Sequence, residues 1–172
     1  MNEIRLATLE DIPAITEIYN EAILNTANTF DTIAKTKDER LAWFQEHMPD
    51  YPILVAADGR QLLGFASISP WSPRPAYANT VSLSIYIHKA FRGRGVGKDL
   101  LKAMVMSTYD NGYHTIMGSI YAGNEVSLRL FESVGFQIVG LLKEVGYKFD
   151  EWLDVYLVQH IITSQNTGLK SD

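Results

Sequence analysis

The chain of 172 residues contains no cysteine. That absence excludes structural disulfides, thiolate metal sites and covalent catalysis through an enzyme thiol. A basic excess is missing too: 15 Lys and Arg stand against 20 Asp and Glu, a formal net charge of −5. Nucleic acid and anionic membranes are therefore not expected partners. The opening MNEIRLATLED lacks the apolar core of a signal peptide, and no stretch approaches the roughly 18 apolar residues of a membrane span. A cytoplasmic protein without membrane contact is expected. His, Asp and Glu nowhere cluster at metal-ligand spacing, and no metal is expected.

What is present points to an α/β domain. A hydrophobic content of 47% over this length is enough for a sizeable core. We expect residues 1–163 to form a single domain and 164–172 a flexible polar tail. Ile4 to Leu6 reads as a strand. Thr8 then caps a helix with Asp11 three residues on, Pro13 in its first turn and apolar positions at Ile12, Ile15, Ile18, Tyr19, Ala22 and Ile23. Thr36 caps a second helix, stopped by Pro49 and Pro52. Ile53 to Ala57 and Leu62 to Ser69 form a hairpin about Asp58-Gly59. A proline-rich loop, SPWSPRPAYAN, leads into the β-branched strand Thr80 to Ile87. A third helix ends near Asn111-Gly112, followed by a strand from Ile116 to Ala122, a short helix from Val126 to Ser133, and strands Phe136 to Tyr147 and Trp152 to Ile161. The predicted order is β-α-α-β-β-β-α-β-α-β-β, a mixed α/β fold.

The densest chemistry lies in FRGRGVGKDLL, residues 91 to 101. A strand running into a glycine-rich turn and then a helix offers backbone N–H groups to an anion at the positive end of the helix dipole. Two familiar phosphate loops fail on spacing. A P-loop would need glycine where Arg92 stands and a hydroxyl where Asp99 stands, and the dinucleotide fingerprint would need glycine at Lys98. A flexible Gly/Arg turn without a ligand is the plain alternative. The spacing present is R-x-x-G-x-G, at Arg92, Gly95 and Gly97.

That loop resembles the one with which the GNAT acetyltransferase superfamily holds the pyrophosphate of acetyl-CoA. NEVSLRLFESVGF, residues 124 to 136, is similar to the superfamily's second cofactor motif. IYNEAILNTANTFDT (18 to 32), SPWSPRPAY and EVGYKFDEWLDVYLVQ (144 to 159) look like the branch of phosphinothricin, methionine sulfone and methionine sulfoximine N-acetyltransferases. The resemblance spans about residues 3 to 162. It implies a twisted mixed sheet of about seven strands flanked by about four helices. The fourth and fifth strands splay, and the pantetheine arm of acetyl-CoA lies in the gap.

On this resemblance the backbone of Ile85, Tyr86 and Ile87 bonds the arm, in the manner of an added strand. Amides from Gly93 through Arg94, Gly95, Val96 and Gly97 to Lys98 take the pyrophosphate, with Arg92, Arg94 and Lys98 supplying charge. Asn124 and Ser127 hold the arm from the other side, although asparagine there is also a natural helix N-cap. An N–H at Tyr86 or Ile87 receives the developing oxyanion. Trp71, Arg74 and Tyr77 would shape the acceptor pocket, Arg74 gripping a carboxylate or standing as a solvated loop arginine. Ser82, Leu83 and Ser84 would border it. The implied partner is a small-molecule amine, and relatives are commonly homodimers.

Proton transfer is where the sequence departs from the branch. Ser82 stands where a glutamate base commonly follows Thr-Val, and Phe131 where a tyrosine or histidine is usual. Neither side chain supplies the expected acid or base. Glu21 and Asp31 are candidate substitutes, Glu21 being otherwise a solvated helix charge. Tyr86, Tyr121 and Tyr77 present hydroxyls or are core aromatics. His88 is expected at the surface, and His114 is given no role. Three functions follow: an N-acetyltransferase acting on a small amino acid by direct attack in a ternary complex, a peptide N-terminal acetyltransferase, or an acetyl-CoA-binding protein without turnover.

Overall fold

The computed structural model describes residues 2–163; the tail expected at 164–172 lies outside the described residues. Seven strands form: β1 (Glu3–Leu6), β2 (Ile53–Asp58), β3 (Gln61–Pro70), β4 (Thr80–Ile87), β5 (Thr115–Tyr121), β6 (Gln137–Lys148) and β7 (Glu151–Ile161). Four α-helices accompany them: α1 (Ile12–Asn25), α2 (Lys37–His47), α3 (Val96–Asp110) and α4 (Glu125–Glu132). The predicted order holds throughout, with ends displaced by one or two residues. Short 3-10 turns lie at Leu9–Asp11, Pro75–Tyr77 and Lys89–Phe91.

Local chemistry accounts for the helix starts. Thr36 accepts from the Glu39 amide at 3.2 Å while the Glu39 carboxylate accepts from the Thr36 amide at 2.7 Å, a reciprocal capping box. Thr8 caps the 3-10 turn Leu9–Asp11 instead of the helix proper, because Asp11 folds back to accept from the Thr8 amide at 2.8 Å. α1 begins one residue later, with Pro13 in its first turn, where a missing N–H is harmless. α2 ends at His47, two residues before Pro49.

The strands make one sheet in the order β1-β2-β3-β4-β5-β7-β6. Every neighbouring pair is antiparallel except β4 and β5. Side chains alternate across it, so each face receives its own helices. On one face Ile12, Ile15 and Ile18 of α1 and Phe44 of α2 pack on Ile53, Val55 and Phe65. On the other, Leu100, Leu101 and Met104 of α3, all fully buried, meet Leu54, Ala66, Ile68 and Val81. Burying each of these side chains contributes about 1.5–3 kcal/mol, and together they fix the sheet between two helical layers.

One pair of strands departs from close pairing. β4 and β5 run parallel and pair only from Thr80–Thr115 to Ser82–Met117. Beyond that point β4 stays with β3 as far as Gly64–Ile87, and β5 stays with β7 as far as Tyr121–Val155. The two strands therefore diverge, and the sheet opens between Leu83–Ile87 and Gly118–Tyr121. α4 leans against this opening. A Cβ on Gly118 would come within 2.8 Å of Val158 and 3.0 Å of the Phe131 ring, so this glycine is what lets the helix lie so close to the strand.

Candidate active site

The opening is a cleft of about 710 Å³ that passes from one sheet face toward the other. One wall is β4 from Leu83 to Ile87, and the other is Ser119 to Tyr121 of β5. α1 contributes Ile18 and Ala22, and α4 contributes Leu130 and Phe131. The mixture of apolar walls and a few polar groups is typical of a ligand cleft.

At one end lies the glycine loop. Gly93 has φ +75° and Gly95 φ +84°, and a Cβ at either would meet nothing within 4 Å. Backbone angle, not crowding by the protein, is what demands glycine there. Gly95 is the N-cap of α3. The opening amides of α3, at Val96 and Gly97, have no intrahelical carbonyl to bond and sit at the positive end of the helix dipole. Gly93, Gly95, Gly97 and Lys98 border the cleft, as does Arg92. Val96 turns its side chain into the core, 3% exposed, and Arg94 places its guanidinium 5.3 Å from the Phe91 ring. Neither side chain borders the cleft.

Arg92 is already engaged. Its Nε donates to the Ile87 carbonyl at 3.1 Å and its Nη2 to Glu21 Oε2 at 2.7 Å. Glu21, the candidate base, is thus committed to an ion pair at the cleft rim. Across the cleft Asn124 caps α4, accepting from the Ser127 amide at 3.1 Å. Its Nδ2 donates to Ser127 Oγ and to Asn28 Oδ1, each at 2.8 Å. The N-cap reading of Asn124 and its place on the cleft wall hold together. Asn28 had no signal in the sequence, since its contact lies 96 residues away.

Of the residues expected around the acceptor, Leu83 and Ser84 border the cleft and Ser82 does not; it occupies the last position at which β4 pairs with β5. Trp71, Arg74 and Tyr77 stand on the loop at the paired end of β4, outside the cleft, Arg74 preceding the 3-10 turn that Pro75 opens. Phe131 is buried against Phe136, ring centroids 4.9 Å apart, and offers the cleft only an apolar edge. Asp31 is not on the cleft wall; it accepts from the Tyr19 hydroxyl at 2.7 Å. His88 caps the turn Lys89–Phe91 by accepting from the Ala90 amide at 3.2 Å. Among the described residues no group of three or more His, Asp or Glu side chains could hold a metal ion, and no helix is long and apolar enough to cross a membrane.

Two glycine-bearing motifs flanking a splay between parallel strands invite comparison with known acetyltransferases. The acetyltransferase (GNAT) domain model matches residues 4–157. The chain belongs to the GNAT acetyltransferase family. It is 36% identical to the L-methionine sulfoximine/L-methionine sulfone acetyltransferase of Salmonella typhimurium over 91% of this chain and 92% of that protein. It is 34% identical to the phosphinothricin N-acetyltransferase of Streptomyces coelicolor, over 89% and 92% of the two chains. Among solved structures, a GNAT phosphinothricin acetyltransferase from Sinorhizobium meliloti, in complex with acetyl-CoA, superposes with a TM-score of 0.91. That match has 32% identity and covers 99% of this chain and 93% of that one. These GNAT relatives are named for N-acetyl transfer to amino acids or their analogues.

Proposed function

We propose that this chain transfers the acetyl group of acetyl-CoA to the primary amine of a small amino acid or analogue, of the phosphinothricin, methionine sulfone or methionine sulfoximine kind. The observation that carries the reading is the divergence of β4 and β5 with the glycine loop at its end. A strand left without a partner presents main-chain groups to an extended arm, and the loop presents amides to a pyrophosphate. In this reading Ile85, Tyr86 and Ile87 bond the pantetheine, Gly93 to Lys98 the pyrophosphate, and Asn124 and Ser127 close the other side. Acetyl-CoA supplies the thioester. The residues bind it, aim its carbonyl at a β4 amide and keep water away with the apolar walls of Ile18, Ala22 and Leu130. Direct attack by the amine is favoured because the chain has no cysteine for an acyl-enzyme.

We further propose a homodimer formed through β6, within a catalytic domain of residues 1–163. β6 lies at the sheet edge and exposes Ile138, Val139, Leu141, Leu142 and Val145 to between 40 and 53% of their surface. A row of this kind on a protein edge marks an interaction surface.

The test is thiol release from acetyl-CoA with a panel of amino acids, sulfoximines, phosphinates and short peptides. CoA release that requires a small amino acid acceptor is the expected result. Release only with peptides, or tight acetyl-CoA binding without release, overturns the reading.

A further inference from the structure

The fork between β4 and β5 has two unlike sides. Alternation along β4 puts Val81, Leu83 and Ile85 on the α3 side, in or against its core, and Tyr86 on the α1 side. Along β5, Ile116 and Ile120 share the α3 side with Gly118, which the buried Phe131 ring covers. That side of the fork is closed. Two residues past the last pair, Ser82–Met117, stand Ser84 on one strand and Ser119 on the other. The same alternation turns both to the α1 side, where each is exposed and each borders the cleft. On that side they are the first side chains beyond the point at which the strands part.

The other polar side chains of the cleft are engaged or stand elsewhere. Asn28, Asn124 and Ser127 bond one another, Arg92 bonds Glu21, and Lys98 belongs to the glycine loop. The Tyr86 ring packs on Tyr19 and Phe65, centroids 5.0 and 5.4 Å away. The Tyr121 ring lies over Gly123, where an added Cβ would come within 2.5 Å of it. Neither the Ser84 nor the Ser119 hydroxyl has a hydrogen-bond partner among the described residues. Two free hydroxyls, one from each strand, therefore flank the fork on its open side.

We propose that Ser84 and Ser119 bind the acceptor nitrogen between them; this rests on the acetyltransferase reading above and adds to it the side of approach and the groups that meet the amine. With the pyrophosphate at the glycine loop beyond Ile87, the arm runs back along β4 and its thioester end points into the fork. Phe131 blocks the α3 side, so the amine arrives from the α1 side. A neutral primary amine carries two N–H donors and one lone pair, and a serine oxygen accepts one N–H. Held by both hydroxyls, the nitrogen turns its lone pair to the thioester carbonyl, an orienting effect that lowers the barrier. The serines neither gain nor lose a proton. The ammonium gives one proton to water; the C–N bond then forms, the C–S bond breaks, and a second amine proton ends on the thiolate. The products are amide, CoA thiol and one proton in solution.

The test uses wild type, Ser84→Ala, Ser119→Ala and the two Ser→Thr variants, which keep the hydroxyl. L-methionine sulfone and phosphinothricin, each beside its des-amino counterpart, are titrated into protein saturated with CoA, and acetyl transfer is followed by thiol release. Each Ala variant is expected to bind the amine about tenfold more weakly, to bind the des-amino compound as wild type does, and to keep its acetyl-CoA affinity. The kcat/KM for the amine should fall by at least the same factor, and each Thr variant should stay within about threefold of wild type. A wild type that releases no CoA with any amine overturns the acetyltransferase reading and this assignment with it. With wild type active, the assignment alone is overturned if wild type binds the amine no better than its des-amino counterpart, if the Ala variants weaken both compounds equally, or if amine binding changes by less than about threefold in both.

Discussion

Arg92 and Glu21 meet across the mouth of the cleft at 2.7 Å, so the first cation of the glycine loop is tied to α1 and the carboxylate nearest the rim is neutralised. In the proposed function, a phosphate arriving at the loop would compete with Glu21 for this guanidinium. Glu21→Gln should therefore lower KM for acetyl-CoA or leave it unchanged, and keep kcat within about threefold, since a bound carboxylate is a poor base. Steady-state kinetics in both substrates checks this. A fall in kcat of about 100-fold would instead make Glu21 the base.

The Asn28–Asn124 bond joins the segment after α1 to the N-cap of α4. Asn124→Ala removes a cap, a bridge and a cleft contact together, and is expected to cost about 1 kcal/mol of stability as well as acetyl-CoA affinity. Asn28→Ala removes the bridge and Asn28's own place on the cleft wall from an exposed position, and leaves the cap intact. It should leave Tm nearly unchanged while weakening acetyl-CoA binding several-fold. Calorimetric melting and titration on the two variants separate these effects.

Most of the architecture could be read from the chain, because hydrophobic period, caps and turn residues are local signals. Thr36 announces α2, and the glycine spacing before Val96 announces a helix start. The glycine loop and the Asn124 cap that border the cleft were legible for the same reason: they lie on two continuous stretches. The surroundings of the Tyr86 ring were not. Tyr19, Thr29, Arg40 and Tyr86 come from four separate segments, and each alone reads as a core aromatic, a polar loop residue or a helix charge. Only the fold brings them together. Gly118 was equally silent, since its reason is the Phe131 ring of a later helix.

Lys148 closes the same region from β6. Its Nζ donates to the carbonyls of Thr26 and Thr29, each at 2.8 Å, and the residue is 6% exposed. Lys148→Met keeps the length and apolar stem but leaves two carbonyls without their donor. A loss of about 2–4 kcal/mol is expected from chemical denaturation, together with raised exchange of amides in residues 26–31. Unchanged exchange there would show that the ammonium does not hold this segment.

Gly95→Ala tests the loop by its backbone. At φ +84° an added Cβ meets no neighbour, so its penalty is conformational, about 1–2 kcal/mol. If the segment relaxes to escape that strain, the amides ahead of α3 lose their alignment. Acetyl-CoA affinity should fall at least tenfold, with the acceptor KM much less affected; titration with CoA checks this without turnover.

Acid stability provides a prediction remote from the cleft. Asp11 is nearly buried at the start of α1, where Arg5 reaches it with two hydrogen bonds of 2.7 and 2.9 Å and the Thr8 amide with a third. Burial acts to raise its pKa, but the Arg5 bonds, the Thr8 amide and the nearby guanidinium charge outweigh it, and the net shift is downward. The folded state therefore prefers the carboxylate more than the unfolded chain does. Its contribution to stability is complete above the unfolded carboxylate range, about pH 4, and is lost as pH falls through the lowered folded value. Arg5→Met removes the partner that lowers it and strands the carboxylate. The variant should be destabilised at pH 7 by about 1–3 kcal/mol, and its stability should fall less steeply than wild type between about pH 5 and pH 3. Urea midpoints measured across that window test the sign directly: parallel curves would mean that Arg5 does not set the ionisation of Asp11.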